Sequence, residues 1–226
     1  MPAIEHAVIA AAGMGTRLGF GVPKCLLDVG GKTLLERQLA LVADVPDVRI
    51  VVGFEKAKII EVAKEIRRDL IICINAAYRT TTTADSYDMG ARGLDGSCLF
   101  LDADIIFEPD SFARFLGLCA EGERRIGITD AKTDDAVFAQ TDEQGHVVGF
   151  SRTERSPFEW ANAAWLPCDY FEGHSGDVFA RIARDLPVAS GLVDSYEVDT
   201  EADLARARAF VLDHGGLDQP ERPSEP

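Results

Sequence analysis

The 226-residue chain is 46% hydrophobic and 27% charged, the make-up of a soluble globular protein with one large domain or one domain carrying an inserted lobe. Its formal net charge of −15 argues against nucleic acid or an anionic membrane surface as partner. No apolar run approaches membrane-spanning length, and the opening Met-Pro-Ala-Ile-Glu-His lacks a basic region ahead of an apolar core, so a cytoplasmic location is expected. The five cysteines (Cys25, Cys73, Cys98, Cys119, Cys168) are scattered and form no Cys-x-x-Cys pair. Reduced core thiols are expected rather than disulfides or a zinc site.

In chain order, the apolar run Ala7 to Ala12 predicts a buried strand that leads into a glycine-rich stretch ending at Lys24. Cys25 to Val29 then leads through a Gly-Gly turn to a helix from Thr33 to about Asp44. Thr33-x-x-Glu36 opens that helix as a capping box. Leu34, Leu35, Leu39, Leu41 and Val42 keep helical spacing, with Gln38 the polar exception. Val48 to Gly53 predicts a strand, Lys56 to Asp69 an amphipathic helix, and Leu70 to Ile74 another buried strand. This alternation predicts a mainly parallel sheet with helices on both faces.

Residues 75–83 break the pattern, and Ala84 to Leu94 predicts a short helix. Cys98 to Asp104 is a central strand ending in two carboxylates, and Pro109 to Cys119 a helix. Beyond Gly122 come short strands at Arg125 to Thr129, Ala136 to Gln140 and His146 to Phe150, the last two joined by a turn at 142–145. Trp160 to Phe171 is aromatic-rich, Asp177 to Asp185 predicts a helix, Leu192 to Val198 a strand, and Thr200 opens a last helix reaching about Asp213. Residues 214–226, rich in Gly and Pro, are expected to be a disordered tail.

The stretch Ala10-Ala-Ala-Gly-Met-Gly-Thr-Arg-Leu-Gly-Phe-Gly-Val-Pro-Lys24 carries the chemistry. Gly13 and Gly15 fall just past a strand end, where backbone N–H groups can approach phosphate oxygens, and Arg17 and Lys24 add two cations. The loop is not a dinucleotide fingerprint, since the last position of that pattern is Leu18. It is not a P-loop either, since Gly31-Lys32-Thr33 lacks the earlier glycine, its place being Leu26. What remains, Ala-Ala-Gly-x-Gly-x-Arg-Leu followed by Pro23-Lys24, resembles the nucleotidyltransferase superfamily of the MobA-like and sugar-nucleotidyltransferase type. The likeness runs from about Ala3 to Leu212. Size, the Asn75–Met89 segment and the Tyr196–Asp199 ending are most similar to the small cytidylyltransferases acting on phosphocholine or phosphonates.

The resemblance implies a Rossmann-like three-layer α/β/α fold with a mainly parallel central sheet. It also implies a small inserted β-rich acceptor-binding lobe, at about 122–190 of a single domain over 1–213. Ala11, Ala12, Gly13, Met14, Gly15 and Thr16 would cradle the nucleotide. Arg17 would hold the departing β- and γ-phosphates, and Lys24 would stabilise the α-phosphate. Asp102 and Asp104 share a face if the strand runs through both, and carboxylates there suit Mg²⁺ or cap the following turn. The resemblance favours Asp104 as the Mg²⁺ ligand, with Asp102 as an alternate or a nucleotide contact. Asp199, on its own a helix-start residue, becomes the second ligand.

Asp85 and Ser86 fall where the family reads the base, and equally fit a helix cap. Arg152 stands where many members have lysine and can grip a phosphate bidentately; an exposed arginine without a contact fits as well. Phe158, Trp160, Asn162, Trp165, Tyr170 and Phe171 would wall the acceptor pocket, as an aromatic cage for a quaternary ammonium or as core beneath the lobe. The expected partners are CTP first among nucleotides and a small phosphorylated or phosphonate acceptor, with a homodimer an open option. A uridylyl- or thymidylyltransferase for a sugar 1-phosphate and a silent nucleotide-sensing domain are the alternatives. A molybdenum-cofactor enzyme is disfavoured because Arg17-Leu-Gly19 replaces its Arg-Met-Gly.

Overall fold

The computed structural model describes residues 4–15, 21–122, 124–133 and 136–214. Its central strand, β1 (His6–Ala11), is buried on both faces. Ala7, Ile9 and Ala11 enter one hydrophobic cluster and Val8 and Ala12 the other, as period-two alternation demands. Parallel neighbours β2 (Asp47–Val52) and β4 (Ser97–Asp102) flank it, and β3 (Ile71–Ile74) extends the sheet beyond β2. Helices α1 (Leu34–Leu41), α2 (Lys56–Ile66) and α4 (Pro109–Cys119) pack on one face, while α3 (Thr83–Ala91) packs on the other. The expected three-layer α/β/α fold is the one observed.

The second half is built onto the same sheet. Strand β9 (Phe158–Pro167) lies antiparallel to β4 and carries β6 (Arg125–Asp130), which pairs in parallel with β10 (Val188–Leu192). Strands β8 (His146–Ser151) and β7 (Phe138–Thr141) follow, and β7 returns to pair with β9. These five strands therefore close on themselves, the β-rich counterpart of the expected insertion, with α5 (Val178–Ile182) packed against them. A two-stranded ribbon of β5 (Ile105–Phe107) and β11 (Ser195–Glu197) stands apart from the large sheet, and α6 (Glu201–Asp213) follows it.

Three expectations are corrected. The apolar run at Leu70–Ile74 is an edge strand rather than a buried one, with Ile71 46% and Ile74 49% exposed. The strand expected through Asp104 ends at Asp102, so the two aspartates lie on a strand end and a turn and do not share a strand face. The single strand expected over Leu192–Val198 is two, because the chain leaves the large sheet after Leu192 and joins β5 at Ser195. The aromatic stretch contains β9, the ten-residue strand that joins the two halves. All five cysteines are free thiols, four of them buried, as expected. Among the described residues no helix is long and apolar enough to cross a membrane. Residues 215–226 of the expected tail lie outside the described residues.

Candidate active site

At the carboxyl end of β1 the chain opens a cleft of about 880 Å³, with Ala12 and Gly13 on its wall. Gly15 takes φ +57°, and a Cβ there would meet Lys24 Cγ at 2.8 Å. Glycine is thus required both by the backbone and by the lysine stem packed on it. Lys24 begins a single 3-10 turn, Lys24–Leu26, held from below by buried Cys25. Thr16 and Arg17 lie outside the described residues. Met14 and Ala11 are not on the cleft wall; Met14 Sδ accepts from Arg79 at 3.6 Å.

Opposite Lys24 stand three carboxylates, on Asp104, Glu197 and Asp199, each offering an oxygen within 4.8 Å of the others. The ribbon brings them together. Glu197 pairs with Ile105 across β5 and β11, and Val198 N donates to Asp104 O at 3.0 Å. Thr200 then caps α6 through a reciprocal box with Asp203, which fixes Asp199 just outside the helix. Lys24 Nζ donates to Asp104 Oδ2 at 2.8 Å and to Asp199 Oδ1. Burial on its own would lower the ammonium's pKa; the charges of Asp104 and Asp199 and the bonds to them outweigh burial and push it up. Glu197 is open to the cleft, yet the enclosing walls and then the charges of Asp104, Asp199 and Asp102 raise its carboxyl.

Asp102 also lines the cleft but faces Tyr87, whose hydroxyl donates to Asp102 Oδ1 at 2.6 Å. Burial, and next the charge of Asp104, raise the Asp102 carboxyl despite that bond. Gln38, the polar exception in α1, explains itself here. Fully buried, its Nε2 donates to Asp102 O at 2.7 Å and Ile105 O at 2.9 Å, clamping the turn that presents Asp104.

On the side of α3, Asn75, Tyr78, Thr81 and Ser86 wall the cleft. Buried Asn75 donates to Thr81 Oγ1 at 2.9 Å and Ser86 Oγ at 3.3 Å. Asp85 is not on that wall. Its Oδ2 accepts from Thr82 N, Thr82 Oγ1 and Ser175 Oγ at 2.7, 2.8 and 2.9 Å, so its carboxylate serves as a helix cap and a tie to the segment before α5. Gly53 lets Tyr78 reach the first loop, since a Cβ there would meet Tyr78 Cβ at 2.6 Å and Ala12 O at 2.8 Å.

On the far side, Arg152, Trp160 and Asn162 line the cleft. The Arg152 guanidinium lies 5.0 Å from the Phe179 ring centroid. Asn162 takes φ +51° on β9, beside a register shift between β6 and β9. Trp165 does not line the cleft. It is packed in the core under α4 with its indole N–H on Gly122 O at 2.9 Å. Phe171 likewise packs on Tyr87 and Phe100, and Tyr170 on Phe171, so the core reading holds for most of the aromatic set. Sequence reasoning passed over Glu197, Gln38 and Lys132. Lys132 lines the cleft with its ammonium on Thr129 Oγ1 at 3.3 Å, on Ser195 O at 2.9 Å and on Asp194, 4.4 Å from the Tyr196 ring centroid.

A glycine loop at a strand's carboxyl end, a half-buried lysine and a carboxylate triad thus meet at the carboxyl edge of an α/β sheet, the edge where such sheets place ligands. The MobA-like NTP transferase domain matches residues 7–169, and the chain belongs to that family. It is 53% identical over 231 positions to the bifunctional enzyme IspD/IspF of Clavibacter michiganensis subsp. michiganensis, covering 92% of this chain and 55% of that protein. The chain therefore spans about half the length of that relative. A 39-residue stretch is 54% identical to 2-C-methyl-D-erythritol 4-phosphate cytidylyltransferase of Corynebacterium jeikeium, covering 17% of this chain and 14% of that one. Among solved structures, CTP:phosphocholine cytidylyltransferase (LicC) of Streptococcus pneumoniae superposes with a TM-score of 0.76 at 18% identity, over 91% of this chain and 98% of that one. This last likeness concerns the fold.

Proposed function

We propose that the protein is a cytidylyltransferase that moves CMP from CTP to a small acceptor bearing a phosphate or phosphonate, releasing pyrophosphate. The observation that carries this reading is Lys24, bonded to Asp104 and Asp199, two carboxylates of the cleft that also holds Ala12 and Gly13 of the glycine loop. An acceptor oxygen already ionised at neutral pH needs no general base, so the work left to the chain is positioning and charge neutralisation. Gly13 and its neighbours give the nucleotide a backbone bed, and Asn75 and Ser86 place polar side chains on the cleft wall for the base. Lys24 meets the α-phosphate as its charge builds, and Arg17 serves the departing phosphates. The names of the relatives support CTP as the donor.

The donor set of Asp104, Glu197 and Asp199 is all carboxylate oxygen, which fits Mg²⁺. When bound there, the ion supplies charge compensation and orientation for the phosphates. On the acceptor side, the Arg152 guanidinium lies over the Phe179 ring and puts a cation on the cleft wall. That cation suits the phosphate or phosphonate of the acceptor, such as the polyol phosphate in one relative's name.

Pyrophosphate release tests the reading. Four nucleoside triphosphates with Mg²⁺ are crossed with 2-C-methylerythritol 4-phosphate, hydroxyethylphosphonate, aminoethylphosphonate, phosphocholine and glucose 1-phosphate. Release with CTP and a small phosphate or phosphonate is expected. Release confined to UTP or dTTP with glucose 1-phosphate overturns the donor and the acceptor, and silence with every pair overturns the enzymatic reading in favour of nucleotide sensing.

A further inference from the structure

Lys24 sits where a metal ion would. Its side chain is only 16% exposed, and its ammonium bridges Asp104 and Asp199, two of the three carboxylates whose oxygens gather within 4.8 Å. Anions this close repel one another unless a cation lies among them. A lysine ammonium is a compact point charge on a flexible stem, able to fill that role and to leave it. Its backbone is fixed by the 3-10 turn and by Cys25, so departure requires only side-chain rotation.

We propose that Lys24 is a resident placeholder: its ammonium holds the carboxylates together in the free protein, and an arriving divalent cation displaces it toward the nucleotide's phosphates. The proposal rests on the metal reading given above. Displacement breaks two charge-assisted hydrogen bonds and sets the ammonium beside a second positive charge. A cation arriving alone therefore binds weakly. One arriving with a triphosphate brings the negative charge onto which Lys24 moves, so cation and nucleotide bind with positive coupling. The lysine reaches its place on the nucleotide only when the cation has taken the lysine's own.

The test is Mn²⁺ binding to nucleotide-free protein, read from the electron paramagnetic resonance signal of unbound Mn²⁺. Lys24→Met should bind about tenfold or more tightly than wild type, and adding Asp199→Asn should remove the gain. Lys132→Met, which deletes another cation of the same cleft, should leave the affinity within about twofold. Equal or weaker binding by Lys24→Met overturns the placeholder while the metal reading stands; an equal gain from Lys132→Met also overturns it, leaving only a general charge effect. No Mn²⁺ binding by either wild type or Lys24→Met overturns the metal reading itself and the placeholder with it. Should Lys24→Met not fold, the side-chain methylene resonance of Lys24 in ¹³C-lysine-labelled wild type, assigned against Lys24→Arg, decides. It must move on addition of MgCl₂, and a resonance that stays in place while metal binds overturns the proposal.

Discussion

Gln38→Met tests whether the clamp beneath Asp104 is what positions the acidic site. Methionine nearly conserves volume in α1, so the change isolates the amide. The half-buried carbonyl of Asp102 and the buried one of Ile105 lose their shared donor. Leaving each unpaired costs about 1–3 kcal/mol. Against this, Gln38 Oε1 is itself buried without a hydrogen-bond partner among the described residues, and removing it recovers about 1–3 kcal/mol. The net expectation is a loss of about 2 kcal/mol, or roughly 4–8 °C in Tm for a chain of this size. Calorimetry reads that number. Pyrophosphate release at 25 °C, where the variant stays folded, should fall about tenfold or more, because the freed turn carries Asp104. A variant that melts within 1 °C of wild type (roughly 0.3 kcal/mol) and turns over at the wild-type rate would refute the clamp.

Three further outcomes follow from the packing and the charges. Gly90→Ala places a Cβ 2.4 Å from Val8 Cγ1 and 2.9 Å from Val51 Cγ2, both on fully buried side chains stiff at χ1. Overpacking of about 1–3 kcal/mol should exceed the gain of up to about 1 kcal/mol in helix propensity. Gly117→Ala meets nothing within 4 Å and should stabilise by about 0.5–1 kcal/mol; urea midpoints shifting in the same direction for both would contradict the pair. Glu108 caps α4 by accepting from Asp110 N at 2.8 Å and Ser111 N at 2.7 Å. Burial raises its carboxyl, but these amides outweigh burial and lower it. A lowered folded value means the stabilisation is present above the unfolded value and fades as pH falls through the folded one. Glu108→Ala should therefore lose about 1 kcal/mol at pH 7, with the gap to wild type closing in acid; a gap independent of pH down to 3 (about one unit below the ordinary glutamate value) would count against the cap. Lys24→Ala should lower kcat by roughly 10²–10³-fold and CTP affinity much less, and unchanged turnover would remove Lys24 from the reaction.

What could be read from the sequence was local, and what could not was set by pairing. The glycine loop and Pro23-Lys24 announce themselves by spacing, and the capping box at Thr33 and the helix start at Thr200 are kept by the structure. Strand β9 left no trace because its residues alternate poorly: Ala161, Ala163 and Ala164 suit either face, and Asn162 at φ +51° interrupts the period of two. The break between β10 and β11 falls at Val193-Asp194, where fully buried Val193 prolongs the apolar signal of Leu192 and only the Asp194-Ser195 pair hints at a turn. Glu197 was within view, two residues before Asp199, yet nothing near it in sequence says that it faces a carboxylate 93 positions earlier on Asp104. That meeting depends on β5 and β11 forming a ribbon of three residues each, outside the large sheet. So short a ribbon holds few contacts of its own. Its register is instead secured at both ends, by Gln38 under the Asp104 turn and by the Thr200 cap after Asp199. The backbone that presents the carboxylates is thus set partly by Gln38 and Thr200, uncharged side chains that do not touch those carboxylates, which is why a search for chemistry-bearing residues alone passes them by.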